Sequence, residues 1–289
     1  MSDSTDNPHG TGNPDGTGTA PATGHAPGLA GRTALLEVDD VTIRFGGVTA
    51  LDSVSFDIKQ GEILGLIGPN GAGKTTCFNV MTGVYQATSG QIRFDGRPLA
   101  KMKRFRITRL GIARTFQNIR LFKSMTALEN VLVGADAQSK VGMFHALFRT
   151  PLHRRTESEA IEEAYRLLDF VGVGGRASEL AENLSYGDQR RLEIARAMAT
   201  KPKLLCLDEP AAGFNPAEKQ RLMELIRKVR DDGYTVLLIE HDMRLVMGVT
   251  DRVVVLEFGR KIAEGSPAEI RDNPAVIAAY LGVDEEDAS

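Results

Sequence analysis

Apolar positions fall along this chain in two rhythms. Short aliphatic and β-branched runs at residues 35–38, 54–58, 63–67, 204–207, 236–239 and 253–257 predict strands. Several of these runs have no polar interruption, as central strands covered on both faces require, so they predict an α/β core with parallel pairing. The earliest runs are closely spaced and predict antiparallel pairing. Between about residue 100 and residue 185 a helical period takes over. Ile161, Ala164, Leu168 and Val171 share one helical face ahead of Gly172, and Thr156 with Glu159 predicts a capping box for that helix. Near the end, Ser266, Pro267 and Glu269 combine an N-cap, a proline at the first helical position and a capping carboxylate.

Composition narrows the picture. At 289 residues, 42% hydrophobic and 25% charged, the chain can bury one large core or two modest ones, which excludes a wholly disordered or fibrous protein. Its 35 basic and 38 acidic side chains leave a net charge of −3, against the basic balance of a protein that coats nucleic acid. Two cysteines, Cys77 and Cys206, cannot form a disulfide framework or a four-cysteine zinc site, which suits a reducing compartment. No run approaches the roughly 18–20 apolar residues that span a bilayer, and no secretory signal opens the chain. Residues 1–31 hold seven Gly and four Pro but no Lys, Arg or aromatic residue, so a disordered tail is expected over 1–33. An acidic tail is expected over 284–289, leaving 34–283 as the folded unit with the helical stretch inserted at about 100–185.

The strand at 63–67 runs into Gly68, Pro69, Asn70, Gly71, Ala72, Gly73, Lys74 and Thr75, followed by a predicted helix from Thr76 to Met81. This is the P-loop pattern between the strand and helix it requires. Glycines let backbone N–H groups converge on phosphates, and the helix N-terminus adds positive potential. Lys74 can reach the β and γ oxygens, and the Thr75 hydroxyl can ligate Mg²⁺. A second apolar run ends in Asp208 and Glu209, at a strand carboxyl end where open α/β sheets bind ligands. Asp208 is the candidate Mg²⁺ partner and Glu209 the candidate general base, with strand alternation expected to aim them apart. Cys206, within that run, reads as a small buried hydrophobe.

Residues Leu184, Ser185, Tyr186, Gly187, Asp188, Gln189, Arg190 and Arg191, about 20 positions before the carboxylate pair, resemble the signature motif of ATP-binding cassette (ABC) ATPases. Phe45 resembles the aromatic that stacks on adenine, Gln117 the Q-loop glutamine and His241 the switch histidine. The resemblance implies an α/β P-loop NTPase fold with a parallel core sheet, an antiparallel β subdomain and an inserted helical subdomain. It implies ATP and Mg²⁺ as ligands, with Gln117 contacting the metal or the attacking water and His241 holding the γ-phosphate. It also implies a head-to-tail pair of cassettes, in which Ser185, Tyr186, Gly187, Asp188 and Gln189 of one subunit face the nucleotide on the other. A serine and a glycine opening a helix through Leu192, Ala195 and Ala199 can present a hydroxyl, N–H groups and a positive helix end to a phosphate. No internal repeat supplies a second cassette.

Tyr186 in the signature, the run at 209–216, the basic helix at 190–196 and the ending at 273–282 are similar to one of the two ATPase subunits of branched-chain amino-acid importers. That narrower resemblance implies membrane-spanning permease subunits, a second ATPase subunit and, indirectly, a solute-binding protein as partners, with no nucleic acid. It implies a cytoplasmic protein bound peripherally to the inner face of the cell membrane. Importers of urea, amides or other amino acids, and soluble ABC ATPases, are the alternatives. Asn215 stands where the D-loop usually carries Asp, which leaves hydrolysis at one composite site open to alteration. Lys101, Lys103, Arg104, Arg106 and Arg109 read better as a solvated basic face than as a membrane contact. Met143, Phe144, Leu147 and Phe148 suit either an amphipathic docking helix or packing on the helical subdomain.

Overall fold

The computed structural model describes residues 31–136 and 151–281, with side chains from 158 onward in the second stretch. Most of the expected N-terminal tail, the run at 143–148 and the acidic end lie outside the described residues.

Two sheets form the frame. Strands β1 (Ala34–Phe45), β2 (Val48–Lys59), β4 (Ser89–Phe94) and β5 (Arg97–Pro98) make an antiparallel sheet in the order β2-β1-β4-β5. Strands β3 (Ile63–Ile67), β6 (Ile112–Arg114), β7 (Leu204–Asp208), β8 (Thr235–Ile239), β9 (Arg252–Glu257) and β10 (Arg260–Gly265) make the core sheet in the order β10-β9-β3-β8-β7-β6. All its pairings are parallel except β10 with β9.

β1 and β2 are each 12 residues long, well beyond the runs predicted for them. Their register slips near Asp40 and Ser53, both with positive φ, and these bulges break the apolar alternation that marks a long strand. β6 falls inside the span read as helical. With only three residues it carries no period of its own, and pairing with β7 makes it a strand.

Every residue of β3, β7 and β8 is buried, and alternation divides β7 and β8 between two cores. Leu204, Cys206, Leu237 and Ile239 pack toward the antiparallel sheet. Leu205, Leu207, Val236 and Leu238 pack toward the helices. Cys206 is a buried hydrophobe, its thiol pushed up to about 12 by that burial.

The helices are α1 (Lys74–Met81), α2 (Arg104–Leu110), α3 (Ala127–Asp136), α4 (Pro151–Phe170), α5 (Tyr186–Met198), α6 (Pro216–Asp231), α7 (Met243–Val249), α8 (Pro267–Arg271) and α9 (Pro274–Leu281). α4 begins five positions before Thr156, so that residue lies inside the helix and the expected capping box does not start it. Its predicted apolar face does pack inward, with Ala164, Leu168 and Val171 buried against α5 and its neighbours. Ser266 and Glu269 form the predicted capping box on α8.

Candidate active site

The site begins where β3 ends. Gly68 has φ +149, and a Cβ there would lie 2.1 Å from the Leu256 carbonyl of β9. Only glycine lets the loop press this closely on its neighbouring strand. Gly73, at φ +97, is the N-cap of α1 and supplies no side-chain cap, so the first turn keeps its N–H groups for other acceptors. α1 starts at Lys74, two residues earlier than predicted. The Lys74 ammonium is buried and donates to the carbonyls of Gly68 at 2.6 Å and Pro69 at 2.8 Å. Burial pulls its pKa down, and nearby Glu209 works against that fall.

A cleft of 460 Å³ opens above the loop. Asn70, Gly71, Ala72, Gly73, Lys74, Thr75 and Thr76 line one side, Glu209 another, and the β2 edge with Phe258 the rest. Gly71 faces open space, whereas Thr75 is exposed at the mouth. Phe45 sits at the end of β1, paired with Val48 at the rim, and its ring meets Tyr85 edge-on at 5.0 Å.

β7 delivers the carboxylates. Asp208 closes the strand and is buried, which raises its pKa; Arg114, 3.8 Å away, opposes the rise and Glu209 adds to it. Glu209 lies past the strand in the left-handed region, at φ +45. Glu209 lines the cleft, whereas the Asp208 carboxylate faces Arg114. The Glu209 N–H donates to the Ile239 carbonyl at 2.9 Å, which keeps the turn against β8.

Three loops meet at one oxygen of Glu209. The Gln117 amide donates to Oε2 at 2.8 Å, and His241 Nδ1 lies 3.8 Å from the same atom. Gln117 therefore touches the candidate base itself. His241 is largely exposed, and beneath it is a carboxylate that the sequence reading missed. Glu240 is buried; it accepts from the N–H of Ala211 at 2.8 Å and of His241 at 3.2 Å, and burial raises its pKa. Its signal was available, because Glu240 ends the apolar β8 run just as Asp208 ends β7.

The signature residues sit apart from this cleft. Ser185 is the N-cap of α5, accepting from the Asp188 N–H at 3.2 Å and donating to the Asp188 carboxylate at 2.8 Å. Asp188 is buried and paired with Arg176 and Arg191, and the Gln189 amide donates to the Leu184 carbonyl. Both side chains are thus turned onto their own chain, while Ser185 and Tyr186 are exposed. Tyr186 packs edge-on against Phe214, with ring centroids 6.0 Å apart. Asn215 caps α6 in a reciprocal box with Glu218, a local task that Asn performs as well as Asp.

The Thr75 hydroxyl lines the cleft and the Asp208 carboxylate lies buried one residue before its Glu209 wall; both are hard oxygens, the chemistry Mg²⁺ takes when substrate phosphates complete its shell. Loop, lysine, carboxylate pair and sheet order define a P-loop ATPase of the cassette type. Residues 51–212 match the ABC transporter family, and residues 260–286 match the branched-chain amino acid ATP-binding cassette transporter family. The high-affinity branched-chain amino acid transport ATP-binding protein LivG of Salmonella typhimurium is 51% identical over 249 residues, 86% of this chain and 98% of the relative. BraF of Pseudomonas aeruginosa, described in the same words, is 51% identical with the same coverage. Among solved structures, the ADP conformation of MJ1267, an ATP-binding cassette of an ABC transporter, superposes with a TM-score of 0.76 at 32% identity, covering 86% of this chain and 99% of that one. The chain belongs to the ABC transporter family and is its ATPase component.

Proposed function

We propose that this chain is the ATP-hydrolysing subunit of an importer for branched-chain amino acids. It would work beside membrane-spanning permeases and a second cassette at the inner face of the membrane. Among the described residues no helix is long and apolar enough to cross a bilayer, so the membrane path belongs to other chains in this reading. The cargo rests on the 51% identity to LivG and BraF.

The observation that carries the reading is the Glu209 carboxylate at the edge of the P-loop cleft, held by Gln117 with His241 nearby. Lys74 exchanges its two loop carbonyls for phosphate oxygens, a stronger, charge-assisted pairing. Thr75 and Asp208 would hold Mg²⁺, which when bound would neutralise charge on the phosphates. Glu209 takes the proton of the attacking water, Gln117 orients that water and the carboxylate, and His241 steadies the γ-phosphate. Ser185 and Gly187 of a partner cassette close the other side, so ATP favours the closed pair by its differential affinity.

Two variants test this. Glu209→Gln keeps ATP affinity within about threefold but lowers hydrolysis by about 10²–10⁴, because the amide bonds as before yet is no base. Lys74→Ala weakens ATP binding itself by about tenfold or more, through loss of a charge-assisted contact. Both abolish uptake of labelled leucine in cells that depend on this chain. Undiminished turnover by Glu209→Gln refutes its role, and leucine uptake that persists without the chain refutes the cargo.

A further inference from the structure

Arg190 is a fully buried arginine four residues into the signature helix, and nothing in the reaction described above uses it. Its guanidinium donates through Nη1 to the carbonyl of Phe116 and through Nη2 to that of Gln117, both at 2.6 Å. Nη2 also donates to the Tyr186 hydroxyl at 3.1 Å, and Nη1 to Glu193 at 3.0 Å. Two further α5 side chains grip the far end of the same loop: Glu193 accepts from the Arg120 N–H at 3.4 Å, and Arg196 donates to the Arg120 carbonyl. The loop carrying Gln117 is thus fastened to α5 at both ends.

A buried arginine needs a counter-charge, and Glu193 supplies it. That need does not explain two short bonds to consecutive carbonyls in a loop more than 70 residues away, one of them on the residue whose amide holds Glu209. We propose that Arg190 is a positioning residue for ATP hydrolysis. It hangs the backbone of Phe116 and Gln117 on the signature helix, and so joins the turn at Ser185, Tyr186 and Gly187 to Glu209 through the Gln117 amide. The inference rests on Glu209 being the base. The turn that meets a partner's nucleotide is then connected, through one guanidinium, to the base of the chain's own site. Displacing the N-terminus of α5 displaces Gln117, and each nucleotide in a cassette pair reports to the other along this path. A planar fork that meets two carbonyls at once suits the task, which a lysine's single ammonium cannot perform with the same orientation.

The test is a double-mutant cycle in the assembled transporter, with Arg190→Lys, Gln117→Ala and both together. Arg190→Lys should lower kcat by about ten- to a hundredfold, the effect of a small misplacement of a catalytic group, with ATP affinity within about twofold. In the Gln117→Ala background the same change should cost less than about twofold, because the group it positions is already gone. A lysine variant with unchanged kcat overturns the proposal, and so do effects that simply multiply. If Arg190→Lys does not fold, the paired Arg190→Gln and Glu193→Gln variant removes both buried charges together, and the same cycle is read with it. Absence of Mg²⁺-dependent turnover in the unmodified transporter would instead refute the ATPase reading, while turnover insensitive to Arg190 refutes only the positioning role.

Discussion

At the scale of single residues the site depends on atoms held where they would not rest by default. Glu209 adopts a left-handed backbone, Lys74 is buried, and Asp208 carries a carboxylate in an environment that raises its pKa. Asp242 is the contrasting case, since it is held for stability. It caps α7 and accepts from Lys219 at 2.6 Å. Burial alone would raise its pKa, but the Lys219 bond and the N–H groups of Leu245 and Arg244 outweigh it and hold the group below its ordinary value of 3.8. A depressed carboxylate stabilises the fold above its unfolded pKa, and that contribution disappears as pH falls through the lower folded value. Asp242→Ala should therefore cost about 1 kcal/mol at pH 7, the usual loss of an N-cap. In thermal melts the gap from the unaltered protein should close as pH drops below 3.8. A gap independent of pH would mean that the charge contributes nothing.

At the scale of elements, legibility followed how locally each element is determined. β3, β7 and β8 were plain in the sequence because strands covered on both faces have no polar positions to confuse the pattern. The α8 cap was legible because four adjacent residues contain all of it. β6 and β10 were not: one has three residues and the other is a half-buried strand at the edge of the sheet. Packing between helices is equally silent in the sequence. α3 crosses α5 so closely that a Cβ on Gly134 would lie 2.2 Å from the Arg196 carbonyl. Alanine ordinarily stabilises a helix relative to glycine by about 0.5–1 kcal/mol. Here the clash is with backbone, which cannot give, so Gly134→Ala should destabilise by about 2 kcal/mol and lower Tm by about 4–8 °C. A rise in Tm would show that the two helices are free to separate.

At the scale of the whole molecule the proposed function places two halves of a nucleotide site on separate surfaces of the chain. The P-loop cleft holds Lys74 and Glu209, and the exposed end of α5 offers Ser185 and Tyr186. In the proposed arrangement head-to-tail pairing would bring unlike halves together twice over, so that association would depend on ATP. Glu209→Gln with ATP and Mg²⁺ should accumulate as a cassette pair in light scattering, alone or with its second subunit, and ADP should not support it. Gly187→Asp places a carboxylate against the phosphate and should abolish the pair while leaving binding of ATP to the P-loop within about twofold. Association indifferent to nucleotide would refute the shared site.

The sequence by itself determined what lies within a few residues of its cause: the glycine loop between strand and helix, the apolar central strands, the carboxylates at a strand end and the cap of α8. Tertiary structure alone decided which of these meet. Gln117 reaches Glu209 across 92 positions, Arg190 reaches the Gln117 carbonyl across 73, and Glu240 supports a loop 29 residues upstream. No local rule encodes such encounters, because each depends on how two sheets and a helical layer share the same buried space.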